Sequence, residues 1–174
     1  RMEEKTMETL IRRSLAQAEH QMTFAFQGGE PTLAGLSFYR QFVACAEKYR
    51  KPGQRIQYAL QTNGICIDEE WAQFLAEHHF LVGLSLDGPR KLHDHYRLRP
   101  EGDGSFQRVM LAAKILRQYR VDVNVLTVVT AYNAPRIQTI YTFFHENHLD
   151  YQQYIPCIDP FGGTKGEQPY SLSG

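Results

Sequence analysis

A helical stripe of apolar side chains followed by a short apolar run recurs five times along this 174-residue chain. Met7, Leu10, Ile11, Leu15 and Ala18 fall at helical spacing ahead of Met22 to Phe26, and Tyr39, Phe42, Val43 and Ala46 ahead of Ile56 to Leu60. Trp71, Phe74 and Leu75 precede the unbroken run Leu81 to Leu86. Phe106, Val109, Met110, Ala113 and Leu116 precede Val121 to Val129, and Ile137, Ile140, Tyr141 and Phe144 precede Tyr151 to Ile155. Punctuation agrees: Pro52-Gly53 closes the second helix, Asp68 and Ser105 stand as N-caps, and Asn133 precedes Pro135 at the last helix. Strands of continuous apolarity belong to parallel sheets covered by helices, so the order predicts an α/β fold, open sheet or barrel. No Gly-x-Gly-x-x-Gly opens a helix, which removes the main support for a dinucleotide fold.

Charge narrows the partners by exclusion. Nineteen Lys and Arg balance nineteen Asp and Glu, leaving no basic field for nucleic acid or an anionic membrane. No apolar run reaches the length of a membrane span and the first residues are charged, so the expected compartment is the cytoplasm. Cys45, Cys66 and Cys157 are an odd number and lie far apart, which suits neither a disulfide framework nor a zinc site. They are expected to be reduced and mostly buried.

In parallel sheets the ligand sits at the carboxyl ends of the strands. Three polar breaks lie there: Gln27-Gly28-Gly29-Glu30-Pro31 after the first run, Gln61-Thr62-Asn63-Gly64 after the second, and Ser85-Leu86-Asp87-Gly88 after the third. Paired glycines let a backbone approach a bound molecule closely, and Glu30 can accept from an ammonium group. Gln27 and Asn63 offer amides near the mouth, while Asp87 is expected to organise its own Asp-Gly turn.

Taken in order, Phe26-Gln27-Gly28-Gly29-Glu30-Pro31, Gln61-Thr62-Asn63-Gly64, Ser85-Leu86-Asp87-Gly88-Pro89 and His93-Asp94-x-x-Arg97 resemble the radical S-adenosylmethionine (SAM) core of the anaerobic sulfatase-maturating enzymes. The resemblance runs from about Met2 to Asp159. It implies five of the six strands of a (β/α)6 partial barrel, in a core domain over residues 1–159, with 160–174 a tail leading to a further C-terminal domain. It also implies oxidation of a Cys or Ser of a sulfatase polypeptide to formylglycine, through a deoxyadenosyl radical made from SAM by a [4Fe-4S] cluster. Gly28, Gly29 and Glu30 resemble the segment that receives the methionine amino group. Ser85 matches a residue bonding ribose or carboxylate, Arg97 a carboxylate-binding arginine, and Ile158 the position beside the adenine. Gln27 is placed with the cofactor, Asn63 and Asp87 with the pocket.

The chain departs from that family in one respect: it has no Cys-x3-Cys-x2-Cys loop to hold the cluster. The expectation is a chain that starts after the first barrel strand and that loop, with the cluster present only in the intact parent and no catalytic or metal residue of its own. The alternative is a descendant that lost the cluster. A truncated first strand would leave Met22 to Phe26 as an edge, predicted either to self-associate or to be covered by the first helix or the tail. Two rival functions remain on the residues themselves: a non-catalytic cofactor- or peptide-binding module, and a metal-dependent barrel hydrolase built on His93-x-His95, read here as loop residues.

Overall fold

The computed structural model describes residues 2–164 and 166–172. Helices α1 (Glu4–Gln17), α2 (Leu36–Tyr49), α3 (Glu69–Glu77), α4 (Arg90–Tyr96), α5 (Phe106–Gln118) and α6 (Ile137–Glu146) alternate with strands β1 (Gln21–Phe26), β2 (Arg55–Thr62), β3 (Phe80–Ser85), β4 (Asp122–Val129) and β5 (Gln152–Pro156), except that α4 and α5 both fall between β3 and β4. All strand pairs are parallel and the sheet order is β1-β2-β3-β4-β5. Sequential order in a parallel sheet sends every connecting helix to the same face, and the sheet curls into a half-barrel.

Only the helix side is fully covered. Phe24, Tyr58, Leu60, Phe80, Val82, Leu84 and Val125 are buried there. One core cluster gathers the first five of these with Met7, Ile11 and Leu15 of α1, Phe42 and Val43 of α2, and Trp71, Phe74 and Leu75 of α3. Rings interlock at its centre: Phe26 meets Tyr39 with centroids 4.8 Å apart and Tyr58 stacks on Phe80 at 4.9 Å. A second cluster packs Val109 and Ala113 of α5 and Ile140 and Phe144 of α6 on Leu84, Leu86 and Val125.

The inner, concave face is a correction to the expectation of continuous apolarity. Register places Thr23 opposite Gln57, Gln61 opposite Gly83, and Gly83 opposite Asn124, so β1 and β2 alternate: apolar toward the helices, polar or small toward the groove. A half-barrel open to solvent on its concave side accepts amides there without desolvating them.

Three local expectations change. The run after Pro89 is not loop but the seven-residue helix α4, which buries Leu92 and His93. Asp68 caps α3 as read, accepting from the Trp71 N–H at 2.9 Å. Ser105 holds the N-cap position of α5 without capping it through its side chain; the Phe106 N–H instead donates to Asp94 Oδ1 at 2.9 Å. The three cysteines are free and half-buried rather than sequestered.

Among the described residues β1 pairs with β2 alone, so its other side is a sheet edge. The described part of the tail does not reach it: the Ala131 N–H donates to the Tyr170 carbonyl at 3.0 Å and the Leu172 N–H to the Cys157 carbonyl at 2.8 Å, which holds Tyr170 and Leu172 beside the ends of β4 and β5.

Candidate functional site

The three predicted breaks meet at the carboxyl ends of β1, β2 and β3. Gly28 and Gly29 have φ of +99° and +56°. A Cβ at either would meet nothing within 4 Å, so glycine is required here by the left-handed backbone and not by crowding. Among the described residues nothing donates to the carbonyls of Gly28 or Gly29, and both residues are exposed. Two such acceptors, held by a tight turn, form a cradle for a positively charged donor.

Glu30 is more occupied than the sequence implies. Its Oε1 accepts from the Thr32 hydroxyl (2.6 Å), the Thr62 hydroxyl (2.7 Å) and the Thr32 N–H (3.1 Å), while Oε2 accepts from the Asn63 N–H (2.7 Å). The carboxylate therefore ties the end of β1 to the end of β2 and caps the short 3-10 turn Pro31–Ala34. One lone-pair direction on Oε2 is left for an incoming ammonium. Burial first, and the Glu30 charge second, push the Tyr39 phenol above its ordinary range.

Thr62 and Thr32, both buried, are partners that sequence reasoning missed. The signal available was a hydroxyl residue two places after Glu30 and another just before the Asn63-Gly64 turn. Asn63 spends its Oδ1 on its own turn, accepting from the Ile65 N–H at 2.9 Å, and Arg108 braces the same loop by donating to the Ile65 carbonyl at 2.8 Å. Gly64 is required by its left-handed φ of +76°, and a Cβ there would also press on Leu84 Cδ1 at 2.7 Å.

Ser85 ends β3 on the concave face, opposite Leu126, and its hydroxyl has no hydrogen-bond partner among the described residues. Gln27 is exposed at the groove mouth beside Gln61, Gly83 and Ile155. Ile158 is 69% exposed next to Cys157, where an apolar side chain is open to a flat ligand.

Asp87 and Arg97 do what neither reading assigned them. Asp87 does not simply close its own turn: Oδ1 accepts from the Val128 N–H at 2.8 Å. Arg97 pairs with Asp87, giving its Nε–H to Oδ2 and an Nη2–H to Oδ1 (3.2 Å). Two nitrogens of the fork are thus engaged within the protein, and Nη1 has no partner among the described residues.

The hydrolase reading fails on geometry. His93 is fully buried; its Nδ1 accepts from the Asp87 N–H (3.2 Å), which places the ring proton on Nε2, 2.9 Å from Ser105 Oγ. Burial lowers its pKa to about 4, against a smaller upward pull from Asp87. Neither nitrogen is available to a metal, and His95 points elsewhere, stacked on Tyr132 with centroids 3.7 Å apart.

An iron–sulfur cluster needs three converging thiolates. Cys45 lies in α2, Cys66 beyond β2 and Cys157 beyond β5, and no group of three His, Cys, Asp or Glu side chains among the described residues could hold a metal ion. These residues do not fit the cluster. The donor set at the strand ends does fit the amino, hydroxyl and adenine groups of SAM.

Parallel strands in sequential order, curled around a groove whose ends carry these turns, define a radical SAM barrel. The chain belongs to the radical SAM superfamily, whose family model matches residues 1–144. It is 46% identical over 167 residues to a cysteine-type anaerobic sulfatase-maturating enzyme of Clostridium novyi, covering 96% of this chain and 45% of that protein. A serine-type counterpart from Bacteroides thetaiotaomicron is 36% identical over 144 residues. Among solved structures, native anSMEcpe with bound AdoMet and Cp18Cys peptide superposes with a TM-score of 0.96 at 42% identity, over 98% of this chain and 48% of that one. Streptococcus suis SuiB, at 21% identity and a TM-score of 0.63, shares the fold. The chain spans about half the length of the relatives it matches.

Proposed function

We propose that this chain is the SAM-holding part of a radical SAM oxidoreductase that converts a Cys or Ser of a sulfatase polypeptide to formylglycine. The observation that carries the proposal is the pair of carbonyls at Gly28 and Gly29, which no described residue bonds, at the same end of the sheet as the Ser85 hydroxyl, also without a partner among the described residues. In this reading the carbonyls and Glu30 Oε2 take the three donors of the methionine ammonium, and Ser85 bonds ribose or carboxylate. Ile158 offers its apolar side chain to the adenine. Gln27 and Asn63 line the approach of the peptide, which the neutral, amide-bearing concave face accommodates through its backbone.

SAM bound here would supply hydrogen-atom abstraction once reduced. The residues of this chain bind and orient it; the cluster ligands and the remaining half of the parent lie outside them, so turnover is expected only in the intact protein. Residues 1–159 form the core domain in this reading, and 160–174 lead to a further domain. In this reading the enzyme works in the cytoplasm. No described helix is long and apolar enough to cross a membrane. The unfitted cluster favours one second reading, a binding module that takes SAM or a peptide without chemistry.

Calorimetric titration of SAM into the chain tests the first reading. Binding is expected, weakened in Ser85→Ala by roughly fivefold, the worth of about one neutral hydrogen bond. A chain that binds no SAM contradicts the assignment, and adding a three-cysteine loop upstream, with turnover of a sulfatase peptide as readout, separates enzyme from binding module.

A further inference from the structure

Beyond Ser85 the chain leaves the sheet, yet β4 continues to be paired. The Leu86 N–H donates to the Leu126 carbonyl (3.1 Å) and the Thr127 hydroxyl to the Leu86 carbonyl (2.8 Å). The next β4 donor, the Val128 N–H, finds a side chain in place of backbone: Asp87 Oδ1 at 2.8 Å. Gly88, at φ +98° with Ile140 pressed where a Cβ would stand, has already turned the main chain away.

The Asp87 carboxylate is held by the Arg97 fork, and Arg97 is held in turn. Its carbonyl accepts from Ser105 Oγ–H (2.8 Å), Ser105 Oγ accepts from His93 Nε2–H (2.9 Å), and His93 Nδ1 accepts from the Asp87 N–H (3.2 Å), which closes the ring. His93, Ser105 and Asp87 are all buried. A buried ionic ring contributes little net stability compared with apolar packing, because desolvation offsets the attraction. What it does supply is a single geometry, since each bond fixes the direction of the next. That geometry is imposed two residues after Ser85.

We propose that His93 and Ser105 are positioning residues for the cofactor site, acting through the Asp87–Arg97 pair to hold the end of β3, and with it Ser85, against β4. The inference rests on the reading of the strand ends as a SAM site. It gives Arg97 a role through Asp87, beside any contact its remaining Nη1 makes with the ligand.

The test is the SAM dissociation constant of Ser105→Ala, Ser105→Thr and Asp87→Asn, measured well below each protein's thermal midpoint, together with hydrogen exchange at the Arg97 Nε–H and the Val128 amide. Ser105→Ala should weaken binding about tenfold and speed exchange at both sites, while Ser105→Thr, which keeps the hydroxyl, stays within about twofold of wild type. Asp87→Asn keeps the Val128 acceptor but loses the ion pair, and should weaken binding even if Ser105→Ala folds poorly. Unchanged affinity in folded Ser105→Ala and Asp87→Asn, whatever their exchange, would overturn the inference while leaving wild-type binding intact. A wild-type chain that binds no SAM would instead bring down the site reading, and the inference with it.

Discussion

Acidification should destabilise this protein through His93 in a window set by one residue. The imidazole is fully buried, its Nδ1 occupied by the Asp87 N–H, and its pKa falls from 6.5 to about 4 because burial disfavours the charged ring. A group whose folded pKa is depressed is neutral in both states above 6.5 and contributes no pH dependence there. As pH falls through 6.5 toward 4, the unfolded chain gains a proton that the folded one refuses, and stability is lost until the folded pKa is passed. At about 1.4 kcal/mol per pKa unit the loss from this residue is about 2 kcal/mol at pH 5 and about 3 kcal/mol at its limit. The assay is urea unfolding at pH 7, 6 and 5, comparing wild type with His93→Gln, whose amide can still accept and donate but cannot titrate. Every other titrating group is common to both proteins, so the difference between the two curves isolates His93. Wild type should lose about 2 kcal/mol more than the variant between pH 7 and pH 5. Parallel profiles over that range would refute the reasoning, since they would require a ring that protonates as easily folded as unfolded.

Two further outcomes follow from the ends and edge of the sheet. Glu30→Gln presents an amide NH2 or loses an acceptor toward Asn63, Thr32 and Thr62, and should cost about 1–3 kcal/mol in urea unfolding as well as weakening SAM binding; an unchanged midpoint would mean that the carboxylate is not the tie between β1 and β2. The open side of β1 should pair with a second copy of the chain, giving concentration-dependent sedimentation and protected amides over residues 22–27. A strict monomer with fast exchange there would contradict this.

The helices with a clear stripe and the strands beside them were legible because burial on one face writes a period into the residues. Helix α4 was not. Arg90-Lys91-Leu92-His93-Asp94-His95-Tyr96 carries a single aliphatic residue, and what buries His93 is a ring of partners at Asp87, Ser105 and Arg97 that local reading cannot assemble. Ser105 has the composition of a cap, but Asp94 reaches the Phe106 N–H first, and Ser105 is drawn into the buried ring. At the site, Gly28, Gly29 and Ser85 could be placed from order alone, because strand ends converge in any parallel sheet. The occupation of Glu30 by Thr62 and Asn63 spans a helix and a strand, and only the register of β1 on β2 makes it visible.

Alternation across the sheet divides its residues into two groups that can evolve separately. Phe24, Tyr58, Phe80, Val82 and Val125 hold the shell together, whereas Thr23, Gln57, Gln61, Asn124 and Gln153 project into the groove and carry little packing. Changes among the second group leave the first untouched, and substitutions outside packed features typically shift stability by no more than about 0.5 kcal/mol. A lineage can therefore alter what this groove admits without passing through unfolded intermediates.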